Sequence, residues 1–120
     1  DAFRAAELPV ALTYYEQASA VDFHDPTLEA VLCSNKAAVF LRLGNSGRAI
    51  KACYRAIEAD PANVKAQLRG ALASRELGYL VQAARFCDRG LKLAPQNTEL
   101  RQLQADLIRD LAAKRGDCTV

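Results

Sequence analysis

Two cations and one amide at regular spacing are the residues of this sequence that suggest chemistry. Lys65 and Arg69 are four residues apart, so on a helix their side chains point to the same side. Such a like-charge pair costs a helix about 0.2–0.5 kcal/mol unless an anion offsets the repulsion. Asn35 stands 34 residues before Arg69, the length of a common helical repeat. Together the three could grip carboxylates, Arg through a bidentate fork and Lys as a point charge, or the two cations could be solvated helix surface.

The cysteines and the single histidine show no metal-site pattern. There is no Cys-x-x-Cys spacing among Cys33, Cys53, Cys87 and Cys118, and His24 stands far from each of them in sequence. We predict no metal and no cofactor. We interpret the cysteines as buried, reduced thiols that act as small hydrophobes in a cytoplasmic protein.

An enzymatic function is the first alternative to binding. His24 adjoins an Asp25-Pro26 turn, where a histidine is more often solvated than a base, and neighbouring acids such as Asp22 are common helix caps. No Gly-rich phosphate loop or partnered nucleophile occurs. We therefore predict that the chain is not an enzyme.

Composition favours a single all-helical domain. The chain has 120 residues, of which 51% are apolar, with many Ala and Leu and no Trp or Met. No apolar run is long enough for a membrane span, and residues 1–20 do not read as a secretory signal. The net charge of +2 with interleaved signs gives no global attraction to nucleic acid or anionic lipid, so we expect neither as a partner.

A repeat with a period of 34 residues must position the candidate cations. When residues 43–61 are shifted by 34, the coinciding pairs are Leu43/Leu77, Gly44/Gly78, Ala49/Ala83, Cys53/Cys87, Arg55/Arg89, Ile57/Leu91 and Pro61/Pro95. Each unit reads as two helices. We predict that Gly44 and Gly78 end the first helix of a pair in a left-handed turn, and that Pro61 and Pro95 stop the second.

Small residues predict where the helices approach closely. They are Ala37, Ala49, Ala56, Gly70, Ala71, Ala83 and Gly90. Larger apolar side chains at helical spacing are predicted to form the shared core: Phe40, Ile50, Ile57, Leu72, Phe86 and Leu91.

The pattern of small residues, an aromatic in the first helix and a closing proline resembles the tetratricopeptide repeat. An imperfect earlier copy, longer by four, aligns Ala11, Tyr15 and Ala18 with Ala49, Cys53 and Ala56. A last helix carries Leu100, Leu103, Leu107 and Leu111 on one stripe and reads as a cap for the open end of the array. We predict an all-α solenoid with repeat 1 at about 1–24 (cut short at its start), repeat 2 at about 27–61, repeat 3 at about 62–95 and a capping helix at about 97–114.

The first helix of each pair in such an array lines the concave side, where extended peptides generally bind. The expected groove residues are Val31, Ser34, Asn35, Ala38, Leu41 and Arg42 from the second unit, and Lys65, Leu68, Arg69, Leu72, Arg75 and Glu76 from the third.

The segments 34–38 and 65–71 are similar to the carboxylate-clamp repeats of heat-shock chaperone partners. Residues 69–72 and 86–91 further resemble the family of tetratricopeptide repeat protein 4 and its fungal counterpart, which are co-chaperones of heat-shock protein 90. The resemblance implies that Asn35, Lys65 and Arg69 hold the C-terminal Glu-Glu-Val-Asp of heat-shock protein 90, and also of heat-shock protein 70. The supporting groove would be formed by Ala38, Leu41, Arg42, Leu68 and Leu72. It also implies a monomer in the cytoplasm, with the nucleus as a further location.

The family clamp also takes a Lys and an Asn from the first helix of the first repeat. Alignment through Ala11 places both before Asp1, so we expect an excised domain with part of its clamp outside the chain.

Two other binding functions stay open at this point. Helical repeats of similar length can read single-stranded RNA, but the groove lacks aromatics, and Glu76, Glu99 and Asp106 place negative charge along it. A scaffold groove that binds an internal segment of a partner protein is the stronger competitor. The two peptide-binding hypotheses differ in whether binding needs a terminal carboxylate.

Overall fold

The computed structural model describes residues 8–19 and 25–118, and these form six α-helices and no strand. The helices are α1 (Leu8–Ser19), α2 (Pro26–Arg42), α3 (Ser46–Ala59), α4 (Val64–Glu76), α5 (Leu80–Leu93) and α6 (Thr98–Cys118). Each helix packs on the next in the chain, and α4 additionally contacts α2 and α6. The all-helical repeat architecture predicted from the sequence is confirmed.

Glycine sets the turn within each of the two complete helix pairs. Gly44 and Gly78 have φ angles of 76° and 78°, in the left-handed region where a side chain would be strained. The amide of the following residue then closes the turn: Asn45 N donates to Phe40 O, and Tyr79 N donates to Ser74 O, each at 2.8 Å. The repeated glycine therefore predicted the turn correctly.

Helix starts are capped by short polar side chains. Asp25 accepts hydrogen bonds from the amides of Thr27 and Leu28 at 3.0 and 3.3 Å, and Asn63 accepts one from the amide of Ala66 at 2.9 Å. Each bond satisfies an amide that has no partner inside the helix.

Asn63→Ala should lower the free energy of unfolding by about 1 kcal/mol, because the first turn of α4 loses its cap. Urea denaturation followed by circular dichroism would measure this. Asn63→Asp restores the acceptor and should recover most of the loss, whereas equal losses in both variants would contradict a capping role.

Close helix contact occurs where the sequence places small residues. A Cβ atom on Gly70 would lie 2.6 Å from Cε1 of Phe86, so only glycine lets α4 and α5 approach this closely. The Phe86 side chain is fully buried, as are Ala37, Ala49 and Ala83. The pairing of small and large residues across the helix interfaces is therefore as predicted.

The predicted core is correct for five of its six members. Phe40 and Phe86 are buried, and Ile50, Ile57 and Leu91 pack partly buried against the core. Leu72 was wrong as a core residue, because it is 37% exposed. The alanines beside it, Ala71 and Ala73, take the buried faces of α4 and leave Leu72 on the open side.

The last helix covers α5 with a leucine stripe. Leu100, Leu103 and Leu107 are buried at 4% exposure or less, and Leu111 is partly buried. An ion pair also ties α6 to α4, since Nε of Arg75 donates to Asp110 at 2.8 Å. The helix runs to Cys118, beyond the end at about residue 114 that the sequence suggests.

Several predictions fall outside what the structure describes. His24 and Asp22 lie among the undescribed residues, and so do the side chains of Tyr15, Ala18 and Cys118. Within the described helices, none is both long and apolar enough to cross a membrane.

Candidate peptide-binding site

Arg69 is fixed in place by the neighbouring repeat. From the middle of α4 its Nη1 donates to the carbonyl oxygen of Ser34 at 2.7 Å, to the Ser34 hydroxyl at 2.8 Å and to Oδ1 of Asn35 at 3.4 Å. These bonds cross from α4 to α2 and set the direction of the guanidinium. The structure thus brings Asn35 and Arg69 together, as the 34-residue spacing predicts.

Ser34 is buried under α4, whereas it was expected to line the groove. Only 2% of the residue is exposed, so it does not line the groove as a free hydroxyl. Its small size lets α2 and α4 approach, and both of its oxygens accept hydrogen bonds from Arg69. Ser34 is therefore a support for the cation, and the sequence alone did not indicate that role.

A cavity of about 410 Å³ opens beside Arg69 on the side formed by α2, α4 and the start of α6. All five predicted supporting residues line it, together with both predicted cations: Ala38, Leu41, Arg42, Lys65, Leu68, Arg69 and Leu72. Asn35 is not part of this lining and reaches the site only through Arg69. Lys65 makes no ion pair with any described residue, so its ammonium is available to a ligand.

Three residues that were not among the predicted site residues also line the cavity: Val64, Asn97 and Glu99. Asn97 caps α6 by accepting a hydrogen bond from the amide of Leu100 at 2.9 Å. Glu99, in the first turn of α6, has no ion-pair partner among the described residues. The cavity lining thus carries one carboxylate besides its cations, in agreement with the prediction that Glu99 places negative charge along the groove.

The groove continues along α2 and α4 into a second cavity of about 330 Å³. The two cavities share Leu41, Arg42 and Leu72, and the second adds Arg75 and Glu76. Because Arg75 pairs with Asp110 and Asp106 of α6, much of its charge is already balanced inside the protein. Its pKa lies above its usual value through the hydrogen bond to Asp110.

The described cysteines are not reactive groups. Cys33, Cys53 and Cys87 are buried free thiols, as predicted. Burial raises the pKa of Cys53 to about 12 and that of Cys87 to about 11, so both stay protonated near neutral pH. In the part of the chain that the structure describes, no three His, Cys, Asp or Glu residues come together to hold a metal ion.

Sequence comparison identifies relatives among repeat proteins. No protein-family model matches the chain. It is 37% identical over 94 residues to the tetratricopeptide repeat protein 4 homolog of Dictyostelium discoideum, a match covering 78% of the chain and 24% of that protein. It is 32% identical over 105 residues to human tetratricopeptide repeat protein 4, covering 88% of the chain and 27% of the relative. The chain thus spans about a quarter of the length of these curated relatives.

Solved structures of similar architecture include a TPR domain and a co-chaperone. The first TPR domain of human RPAP3 is 26% identical with a TM-score of 0.86, over 96% of this chain and 87% of that one. The Hsp90 co-chaperone Cns1 of Saccharomyces cerevisiae is 27% identical with a TM-score of 0.85, over 96% of this chain and 38% of that one. The chain therefore belongs to the tetratricopeptide-repeat domains, and it is homologous to a segment of tetratricopeptide repeat protein 4.

Proposed function

We propose that the chain is a non-catalytic binding module for the acidic C-terminal peptide of heat-shock protein 90, and also of heat-shock protein 70. The peptide would lie in the groove between α2, α4 and the start of α6.

The observation that carries the proposal is that the guanidinium of Arg69, held by α2, and the ammonium of Lys65, which has no ion-pair partner among the described residues, line the same cavity. An arginine already held by α2 loses little further side-chain entropy when it binds a carboxylate. Arg69 would present its guanidinium to a peptide carboxylate, and Lys65 would add a second charge-assisted contact. Asn35 would hold Arg69 in position and supply its side-chain amide.

The apolar part of the groove provides a surface for an aliphatic side chain of such a peptide. Leu41, Leu68 and Leu72 line the cavity beside the cations. Carboxylates bound at Lys65 and Arg69 would place a neighbouring aliphatic side chain over these leucines, which would bury apolar surface on both partners. This is a recognition role for Leu72 that its exposed position permits.

Two similar solved structures contain peptides of this kind. The first TPR domain of Spaghetti (RPAP3) is bound to the HSP90 peptide SRMEEVD, with a TM-score of 0.83 and 26% identity over 92% of this chain and 87% of that one. The second TPR domain of human RPAP3 is in complex with the HSP70 peptide SGPTIEEVD, with a TM-score of 0.79 and 26% identity over 88% and 85%. They support binding of such a peptide by a domain of this fold.

Titration calorimetry of the chain with SRMEEVD, with a free and with an amidated C-terminus, tests the proposal. We expect the amide to bind at least about tenfold more weakly, because a charge-assisted grip on the terminal carboxylate is lost. Equal affinity for the two peptides would favour the scaffold alternative, in which the groove binds an internal segment. No binding of either peptide would contradict the proposal altogether.

Glu99→Gln should strengthen binding of SGPTIEEVD by about two- to fivefold at low ionic strength, because a carboxylate that repels the acidic peptide is removed. The same titration checks this. The gain should shrink at high salt, where charges on the surface are screened. Glu58→Gln, on exposed α3 surface away from the groove, is the matched control, and an equal gain there would contradict a local role for Glu99.

A further inference from the structure

A separate charged pocket lies on the other side of α2 from the groove, between α1, α2 and α3. We call it the outer pocket, a cavity of about 310 Å³ lined by Glu16, Lys36, Phe40, Arg48, Lys51, Ala52 and Arg55. It has no residue in common with the groove cavity. At 3.6 residues per turn, Phe40 lies about 160° around α2 from both Ala38 and Arg42, which line the groove. The two sites are therefore separate, with α2 between them.

The cations of the outer pocket are arranged as one row. Arg48, Lys51 and Arg55 follow at spacings of three and four residues, so they share one side of α3. Each neighbouring like-charge pair costs the helix about 0.2–0.5 kcal/mol. Lys36 of α2 adds a fourth positive charge to the lining, against the single carboxylate of Glu16.

Internal partners leave most of this charge unbalanced. Lys36 and Lys51 make no ion pair with any described residue. Arg55 has one long ion pair with Glu29, at 3.9 Å between exposed side chains, which contributes little. The guanidinium carbon of Arg48 lies 5.9 Å from the centre of the Phe40 ring, a contact that directs the charge without neutralising it.

The floor of the outer pocket distinguishes between classes of anionic partner. Phe40 and Ala52 form an apolar floor, and both are at most 6% exposed. Proteins that bind single-stranded nucleic acid commonly stack its bases on exposed aromatic rings, and the one ring in this lining is buried. A rim of cations over a small apolar floor suits carboxylates beside an aliphatic side chain.

We propose that the outer pocket binds an internal acidic segment of a partner protein, with Asp or Glu side chains on the four cations and an aliphatic side chain on Phe40 and Ala52. No terminal carboxylate is needed, because the pocket is open and its cations form a row. The domain would then hold two acidic peptides at once, one on each side of α2.

The test uses the peptide Asp-Glu-Leu-Asp-Glu, acetylated and amidated so that it has no free terminus, titrated into ¹⁵N-labelled chain at low ionic strength. We expect chemical-shift changes at the amides of Lys51, Ala52 and Arg55. Lys51→Gln should weaken binding about threefold and Glu16→Gln should strengthen it about twofold, the range of single exposed charge contacts. A gain from Glu16→Gln cannot arise from damaged folding.

Lys114→Gln, a lysine on an exposed part of α6, is the matched control and should leave affinity unchanged. Shifts confined to residues 65–72, or the same affinity in the Lys51, Glu16 and Lys114 variants, would overturn the proposal. Tighter binding of an oligouridine than of the peptide at the outer pocket would overturn the choice of partner. Lys51→Gln, which lies outside the groove lining, should not affect binding of SRMEEVD in the groove, so failure of the groove proposal and failure of this one are distinguishable.

Discussion

Arg69→Ala is expected to weaken binding of SRMEEVD by about 10- to 100-fold. The variant removes the donors that would hold a peptide carboxylate, and charge-assisted hydrogen bonds of this kind contribute about 1.5–3 kcal/mol. Titration calorimetry with the free-acid peptide measures the change. Arg85→Ala, an exposed arginine on α5, should bind as the wild type does.

Arg69 also joins α2 to α4, so its loss could act through the fold. Ser34→Ala separates the two effects, because it removes one of the three hydrogen-bond acceptors of Arg69 Nη1 and keeps the guanidinium. We expect Ser34→Ala to weaken peptide binding only a few-fold, since the guanidinium is held less firmly. If Ser34→Ala and Arg69→Ala weaken binding equally and both also lower the unfolding transition, Arg69 is a structural residue and not a peptide contact.

Gly70→Ala is expected to lower the free energy of unfolding by up to about 2 kcal/mol, although alanine is the better helix former. The gain in helix propensity is about 1 kcal/mol, whereas overpacking a core costs about 1–3 kcal/mol. The steric term should dominate because Phe86 cannot move away. Its ring packs against Tyr54 with centroids 5.3 Å apart, and the Arg89 guanidinium carbon lies 5.0 Å from its centre.

Urea denaturation measures the free energy of unfolding, and two other glycine-to-alanine variants serve as controls for Gly70→Ala. Gly47→Ala meets no atom within 4 Å and should be neutral or stabilising by about 0.5 kcal/mol. Gly90→Ala should fall between the two, since the nearest atom to its Cβ is a methyl carbon of Leu100 at 2.8 Å that can rotate away. A Gly70→Ala variant as stable as Gly47→Ala would mean that α4 and α5 separate easily.

Repetition is the part of the fold that could be predicted from the sequence. Gly44 and Gly78 occupy the same place in two units and need the same positive φ, so local sequence determines the turn. The spacing of Asn35 and Arg69 equals the repeat length, which made their contact predictable. Such features depend on one helix pair and its nearest copy.

Features that depend on the angle between helices could not be predicted. Leu72 was expected both in the core and in the groove, and only the packing of Ala71 and Ala73 shows that it faces outward. Ser34 looks like groove surface until α4 is placed over it. Asn97 lines the groove because α6 docks with its start beside α4. These outcomes are set by three helices at once, which no single periodicity encodes.

The hydrogen bonds from Arg69 to Ser34 and Asn35 join two successive repeats, so the position of the guanidinium depends on the twist between them. A ligand that binds one twist more tightly therefore shifts the array toward that twist. By thermodynamic reciprocity, a mechanical load that favours the same twist would raise the affinity for that ligand.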